Sequence, residues 1–194
     1  MDADAELMLR VAAGDTAAFA RLFDRYQASV TRFAFRYVGD PARAEELAQD
    51  IFVKLFRSAK RYQPTAKFKT FLFRVAANHC LNEVRRGEHR MDSLDERLQS
   101  GDAAEPATDG PRPDEALQGQ ELQGAVMRAL GDLSERERAA FLLCRFEGMP
   151  YREIAQALEA TEAAVKSLIH RATVAVAQKI EALQAGMKSA RSES

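Results

Sequence analysis

Basic and aromatic side chains alternate along residues 60–86, KRYQPTAKFKTFLFRVAANHCLNEVRR. Cations along a groove and rings that stack on bases hold single-stranded nucleic acid, at about 1–3 kcal/mol per stacked base. Amide and imidazole side chains in the same stretch can read base edges. The pattern therefore predicts a single-strand binding surface made of Lys60, Arg61, Lys67, Lys69, Phe71, Arg74, Asn78, His79, Asn82, Arg85 and Arg86.

The rings of this segment also fit a second role. Phe68 and Phe71 lie on the apolar side of a helical pattern, so at least one of them is expected in the hydrophobic core. The basic residues and Asn78 are therefore stronger candidates for nucleic-acid contact than any one ring.

A second motif, YREIAQALEATEAAVKSLIHRA at residues 151–172, combines a short helix, a tight turn and a longer helix, the pattern of a helix-turn-helix. Ala155 is small enough for close helix approach, while Val165 and Leu168 face inward. The outer face of the second helix can enter a DNA major groove. It carries Thr161, Glu162, Ala163, Lys166, Ser167, His170 and Arg171. An ordinary helical hairpin with a polar outside is the alternative interpretation.

Helix caps divide the rest of the chain. Asp4, Asp15 and Asp40 are expected N-caps, and Gly14 and Gly39 are expected helix ends. Together with the helix that begins near residue 68, these caps and ends define four amphipathic helices that can bury a shared core. A capping box at residues 134–137 starts a further helix before the helix-turn-helix. The predicted fold class is all-α.

The charge distribution separates two helical domains. Residues 54–90 carry ten Lys or Arg against two Asp or Glu, whereas residues 91–121 carry two against nine. Residues 100–113, SGDAAEPATDGPRP, have the composition of a flexible acidic linker. We predict a first domain at residues 1–94, a linker at 95–113, a helix-turn-helix domain at 114–185 and a short tail at 186–194.

Composition argues against several classes of protein. The chain has 46% hydrophobic and 29% charged residues, a globular mixture, with no apolar run near the length of a membrane span and no secretion signal at its start. Two unpatterned cysteines suit a reducing cytoplasm. His79 and Cys80 are adjacent, but neighbours on a helix point in different directions and cannot form a nucleophile–base pair. We expect no enzyme, no cofactor and no metal.

In chain order, these segments closely resemble the extracytoplasmic-function sigma factors of the sigma-70 family, from DAELMLRVAAGD at residue 4 to about residue 180. In that family a helix like AEELAQDIFVKLF, here at residues 44–56, docks on the coiled coil of the largest RNA polymerase subunit. The resemblance implies docking by Glu46, Gln49, Asp50 and Phe52.

The resemblance also implies the DNA contacts. The helix after residue 67 looks like the one that melts promoters and reads the minus-ten element. The loop at residues 60–66 looks like the one that captures a flipped base, which needs a pocket because extrusion costs a few kcal/mol. The helix-turn-helix looks like the reader of the minus-thirty-five element. Implied partners are core RNA polymerase, promoter DNA as duplex and melted strand, and an anti-sigma factor.

Two positions depart from the family pattern. Phe71 stands where the family usually has Trp, which keeps an aromatic wedge but loses the indole donor. Leu168 stands where Arg is frequent, which implies that a phosphate or base contact is missing and that Lys166, His170 and Arg171 carry more of the binding.

Two other functions fit parts of the sequence. A stand-alone dimeric helix-turn-helix regulator would bind paired half-sites tightly without polymerase. A helical adaptor that binds only protein would suit the near-neutral net charge of −1. The salt dependence of DNA binding separates the adaptor from both DNA-binding alternatives.

Overall fold

The structure, a computed structural model, describes residues 2–91 and 113–192, which contain eight α-helices and one 3₁₀ turn and no β-strand. The all-α prediction is confirmed. The elements are α1 (Ala3–Ala12), α2 (Thr16–Val38), α3 (Pro41–Ser58), the 3₁₀ turn (Ala59–Arg61), α4 (Phe68–Met91), α5 (Pro113–Gly131), α6 (Glu135–Arg145), α7 (Tyr151–Ala157) and α8 (Glu162–Ser192).

Two of the predicted N-caps of the first domain, α1–α4, are confirmed. An Asp15 oxygen accepts from the backbone N–H of Ala18 at 3.0 Å, and an Asp40 oxygen accepts from that of Arg43 at 2.6 Å. Each bond satisfies a donor that the first turn of a helix otherwise leaves free. Gly39 ends α2 with a φ of 78°, a left-handed conformation that glycine adopts without strain.

The cap predicted at Asp4 is wrong. Asp2 caps α1, since one of its carboxylate oxygens accepts from the backbone N–H of Asp4, and its other oxygen accepts from that of Phe68 at 3.0 Å. Asp2 therefore joins the starts of α1 and α4. Asp4 lies in the first turn of α1, is buried, and contacts α2.

Asp4 holds α1 on α2 through polar contacts. Its carboxylate forms an ion pair with Arg25 and accepts a hydrogen bond from the hydroxyl of Tyr26 at 2.6 Å. Burial and the bond to Asp4 raise the pKa of Tyr26, so the phenol stays protonated and keeps donating.

The apolar stripes of α2, α3 and α4 form the core of the first domain. Its largest fully buried side chains include those of Phe33, Phe68, Phe73, Leu47 and Ile51. Phe33 and Phe73 meet edge to face with ring centroids 5.5 Å apart, a favoured aromatic geometry. This core fixes the direction in which the polar faces of α3 and α4 point.

The second domain, α5–α8, contains the predicted capping box and helix-turn-helix. The backbone N–H of Ser134 donates to the carboxylate of Glu137 at 3.2 Å. The turn between α7 and α8 passes through Glu159 at a φ of 50°, and Thr161 accepts from the N–H of Ala164 at 3.2 Å to cap α8. Val165 and Leu168, which the motif placed inward, are buried.

The ends of the second domain differ from the prediction. Helix α8 continues to Ser192, although a tail was predicted from residue 186. A single glycine costs a helix only about 1 kcal/mol, so Gly186 alone does not stop it. The predicted linker at residues 95–113 lies outside the described residues except for Pro113, where α5 begins.

The two domains pack against each other, with the C-terminal end of α2 against the start of α6. The Arg138 guanidinium donates to the carbonyl oxygens of Tyr37 at 2.5 Å and Gly131 at 2.8 Å. In return, the Tyr37 hydroxyl donates to the carbonyl of Glu135 at 3.1 Å. Helix α7 lies along α4 in the same arrangement.

Replacing Asp4 with alanine should lower the free energy of unfolding by about 1–3 kcal/mol, because the Tyr26 hydroxyl and Arg25 lose their shared acceptor in a half-buried site. Asp24→Ala, an exposed aspartate on α2, is the control and should change stability by less than about 0.5 kcal/mol. Urea unfolding followed by circular dichroism measures both. Equal midpoints for the two variants would show that Asp4 does not fasten α1.

Candidate nucleic-acid and protein interfaces

Ten of the eleven residues predicted to bind single-stranded DNA are exposed or half-buried in the first domain. Exposed or half-buried on α4, the 3₁₀ turn and the loop between them are Lys60, Arg61, Lys67, Lys69, Phe71, Arg74, Asn78, Asn82, Arg85 and Arg86. We call these ten residues the basic face.

The rings near this face divide between surface and core. Phe68 and Phe73 are fully buried, which confirms that part of the aromatic pattern serves packing. Phe71 is half-buried, with its ring 4.8 Å from that of Tyr62 and with the Arg74 guanidinium 5.3 Å from its centroid. A half-buried ring with a cation close to its face is a suitable platform for a base.

A cleft of about 320 Å³ opens beside Phe71. Its lining from the first domain includes the loop residues Gln63 and Thr65 together with Thr70 and Arg74, and the second domain adds Gln156. The loop predicted to capture a flipped base therefore borders an open cleft.

His79 is not part of the basic face. Its side chain is 2% exposed and lies with Nε2 3.5 Å from a carboxylate oxygen of Asp50 on α3. Burial lowers the pKa of His79, with Lys54 acting in the same direction, so the imidazole is held neutral between α3 and α4. The sequence prediction that placed His79 on DNA did not account for the angle at which α4 packs on α3.

Cys80 is buried in the core beside His79. Desolvation raises the pKa of its thiol to about 12, which suppresses the thiolate that a nucleophile requires. The residue acts as a small apolar filler, as the sequence indicated.

The predicted polymerase-docking residues occupy two different environments. Glu46, Gln49 and Asp50 are exposed along one side of α3. Arg43 supports this side, because it donates to Glu46 at 2.7 Å and to Glu83 of α4 at 2.6 Å. Phe52 is only 4% exposed and packs against Phe23, so its predicted role as a surface contact is wrong in this structure.

Exposed apolar residues that the sequence reasoning did not select lie close to Phe52. Val53 and Phe56 on α3 are each 46% exposed, and Phe56 meets Phe19 of α2 with centroids 5.1 Å apart. The sequence did contain a signal for these exposed residues. Helices α2 and α3 carry more aromatic residues on one side than a small core can bury. We call Glu46, Gln49, Asp50, Val53 and Phe56 the α3 face.

The helix-turn-helix presents all of its predicted DNA residues outward: Thr161, Glu162, Ala163, Lys166, Ser167, His170 and Arg171 are exposed. The Arg171 guanidinium is held by Glu137 of α6 at 2.6 Å. This hydrogen bond, followed by that of Ser134, lowers the pKa of Glu137, so the pair is charged at neutral pH. We call these seven residues the α8 face.

Leu168 does not belong to the α8 face. It is 9% exposed and packs in the core of the second domain, which confirms the prediction that it faces inward. The missing arginine contact that the resemblance implies stays a prediction.

Neither a membrane span nor a metal centre is present in the described part of the chain. No helix in residues 2–91 or 113–192 has the length and apolarity needed to cross a bilayer. Over the same residues, no three His, Cys, Asp or Glu side chains gather as a potential metal site. The described residues therefore form an all-helical protein of two regions, the second of which contains a helix-turn-helix.

Known families match both domains. The family Sigma-70 region 2 matches residues 22–90, and the family Sigma-70, region 4 matches residues 123–175. The chain is 32% identical over 185 residues to the RNA polymerase sigma-H factor of Pseudomonas aeruginosa, covering 93% of this chain and 95% of that protein. It is 31% identical over 188 residues to the ECF RNA polymerase sigma-E factor of Escherichia coli, with 93% and 95% coverage.

Solved structures have the same fold. The sigma factor RpoE of Bartonella quintana, crystallised with the anti-sigma factor NepR, superposes with a TM-score of 0.70 at 21% identity, over 84% of this chain and 96% of that one. CnrH in complex with the cytosolic domain of CnrY gives a TM-score of 0.69 at 23% identity, over 93% and 99%. The chain belongs to the extracytoplasmic-function sigma factors of the sigma-70 family.

Proposed function

We propose that this sigma factor binds core RNA polymerase through its α3 face, opens the promoter and reads the minus-ten element through its basic face, and reads the minus-thirty-five element through its α8 face. It does so in the cytoplasm and without catalysing a reaction of its own. The observation that carries the proposal is that three chemically different exposed faces lie on the two matched regions, in the order that the family requires.

The α3 face suits a protein partner. It combines exposed carboxylate and amide groups with apolar side chains that are nearly half exposed, a mixture typical of interfaces with an apolar centre and a polar rim. An acidic surface of this kind repels DNA phosphates, so it directs the first domain toward polymerase rather than toward DNA.

The basic face suits a melted strand. Its lysines and arginines meet phosphates, while Phe71 and the adjacent cleft offer a stacking surface and a recess for one extruded base. The free energy for strand opening comes from binding the exposed strand, with no nucleotide hydrolysis.

The α8 face suits the duplex. Thr161, Glu162 and Ala163 lie at the N-terminus of the recognition helix, where side chains reach base edges, and Lys166, His170 and Arg171 follow with positive or ionisable groups. A regulator that binds DNA alone as a dimer is not favoured, because both regions of the chain match families of sigma factors.

An anti-sigma protein is the proposed regulator. RpoE and CnrH, which share this fold, were each solved in a complex with a protein partner. The exposed apolar residues Val53 and Phe56 on the α3 face are a suitable contact for such a partner, which would thereby compete with polymerase.

The Gln49→Ala/Asp50→Ala variant should raise the Kd for core polymerase by at least about thirtyfold, the effect of losing about 2 kcal/mol at an interface hot spot. Gln178→Ala/Glu181→Ala removes one exposed amide and one exposed carboxylate from α8 and is the control. Fluorescence anisotropy with labelled sigma factor measures both. Start-site selection in transcription with core polymerase should fall in the same proportion, and unchanged assembly would refute docking through α3.

Asn78→Ala should reduce promoter opening by about fivefold, since it removes one polar contact worth about 1 kcal/mol. Gln27→Ala, an exposed amide on α2, is the control. Permanganate reactivity of thymines at a promoter selected from a randomised library reports the opened strand. Wild-type reactivity in Asn78→Ala would remove this residue from minus-ten recognition.

Lys166→Ala should weaken holoenzyme binding to that promoter by about 1–3 kcal/mol if the side chain contacts a base. Lys179→Ala is the control, since Lys179 is on the same helix but pairs with Asp132 at 2.7 Å. Binding is measured with matched and substituted minus-thirty-five sequences. A loss that is equal on both sequences would assign Lys166 to a phosphate, and no loss would place the contacts elsewhere.

A further inference from the structure

A buried histidine lies directly beneath the proposed docking surface. The side chain of His79 on α4 is 2% exposed, and its Nε2 atom is 3.5 Å from a carboxylate oxygen of Asp50 on α3. The Asp50 side chain is 64% exposed and belongs to the α3 face. One end of this contact is therefore in the interior, and the other end is available to a partner protein.

The imidazole of His79 is unsatisfied in this arrangement. Neither of its ring nitrogens has a hydrogen-bond partner within the described residues. A neutral imidazole carries one donor and one acceptor, and leaving either without a partner in the interior is unfavourable. An apolar side chain of similar size would fill the same position without that cost, so packing alone does not account for a histidine here.

The charged groups around the ring come from the two helices that enclose it. Asp50 and Lys54 of α3 act on the imidazole, as does Glu83 of α4 itself. Glu83 already has a cationic partner, because it accepts from Arg43 at 2.6 Å. Burial, and then Lys54, lower the pKa of the imidazole, so the ring is neutral at neutral pH. Asp50 is therefore the group with which a protonated ring can pair.

Acid changes the balance at this contact. A protonated imidazole donates from both nitrogens, and its charge attracts the Asp50 carboxylate. A charge-assisted hydrogen bond is about 2.8 Å long, so the carboxylate needs to approach the ring by less than about 1 Å. An exposed side chain makes such a shift by a small rotation, within nanoseconds.

We propose that His79 is a positioning residue for the docking carboxylate of Asp50 and makes the binding of core polymerase sensitive to acid. While His79 is neutral, the Asp50 carboxylate is available to a donor on polymerase. Once His79 is protonated, Asp50 pairs with the interior cation, and less of its charge is left for the partner. The inference rests on the proposed docking through the α3 face and adds a regulation to it: a fall in pH weakens assembly with polymerase.

Nuclear magnetic resonance can follow the His79 ring directly. Long-range ¹H–¹⁵N spectra of the free protein should show one histidine ring that titrates below the usual histidine range, and His79→Gln should remove its signals. Asp50→Asn should lower the titration midpoint of this ring further, because the protonated form loses its carboxylate partner. An unchanged midpoint in Asp50→Asn would overturn the inference.

Competition for core polymerase tests the consequence for docking. Wild-type and His79→Gln chains with different fluorophores compete between about pH 5 and 7.5, so that titration of polymerase itself affects both equally. The ratio of the wild-type Kd to that of the variant, normalised at the upper pH, should rise about twofold at the midpoint of the His79 titration. It should continue to rise below that pH, as linkage to one proton requires.

Two further variants control this experiment. His79→Leu is a second variant that cannot titrate, is apolar and of similar size, and should behave as His79→Gln does. His89→Gln removes the other histidine of the first domain and should follow the wild type. Circular dichroism at each pH confirms folding. Parallel curves for the wild type and both His79 variants would show that the ring does not control docking.

The proposed function fails separately. If Gln49→Ala/Asp50→Ala binds core polymerase as tightly as the wild type, docking through the α3 face is wrong, whatever the ring titration shows. If that variant is defective and the wild-type ratio stays flat across the pH range, the docking assignment stands and the role of His79 is refuted.

Discussion

The arrangement of this protein depends on one desolvated guanidinium. Arg138 lies between the domains with its side chain against the ring of Tyr37, 5.4 Å from the centroid, and donates to carbonyls at the C-terminal end of α2 and the end of α5. Helix C-termini carry unsatisfied carbonyls and partial negative charge, so a cation is stabilised there. Burial lowers the pKa of Arg138, yet the guanidinium stays charged because its ordinary pKa is so high.

This contact determines where the acids of the second domain lie. With the start of α6 fixed on α2, Glu135 is placed beside Arg85, and α7 lies along α4 with Glu153 against Thr70. Each glutamate has a partner in the first domain, and a carboxylate that is mostly buried needs one. The same packing therefore pairs part of the basic face with carboxylates of the second domain.

Local signals in the sequence predicted local structure well. The caps at Asp15 and Asp40, the end of α2 at Gly39 and the outward face of α8 follow from hydrogen bonding and periodicity within a few residues. The errors concern residues whose environment is set by packing across the chain. Asp4, Phe52 and His79 each have a side chain whose type permits either surface or interior, and only the angle between helices decides. The interdomain ion pairs were also beyond prediction, since their partners are 50 to 86 positions apart.

The neutral His79 lies between α3, which is proposed to dock on polymerase, and α4, which is proposed to read the minus-ten element. It occupies the interior between α3 and α4, 3.5 Å from Asp50, whose other side is exposed on the α3 face. Arg43 makes a second connection, since it bridges Glu46 of α3 and Glu83 of α4. Closely packed side chains transmit displacement because interiors have few voids. The contacts of His79 and Arg43 therefore fix the direction of the α3 face relative to the polar side of α4.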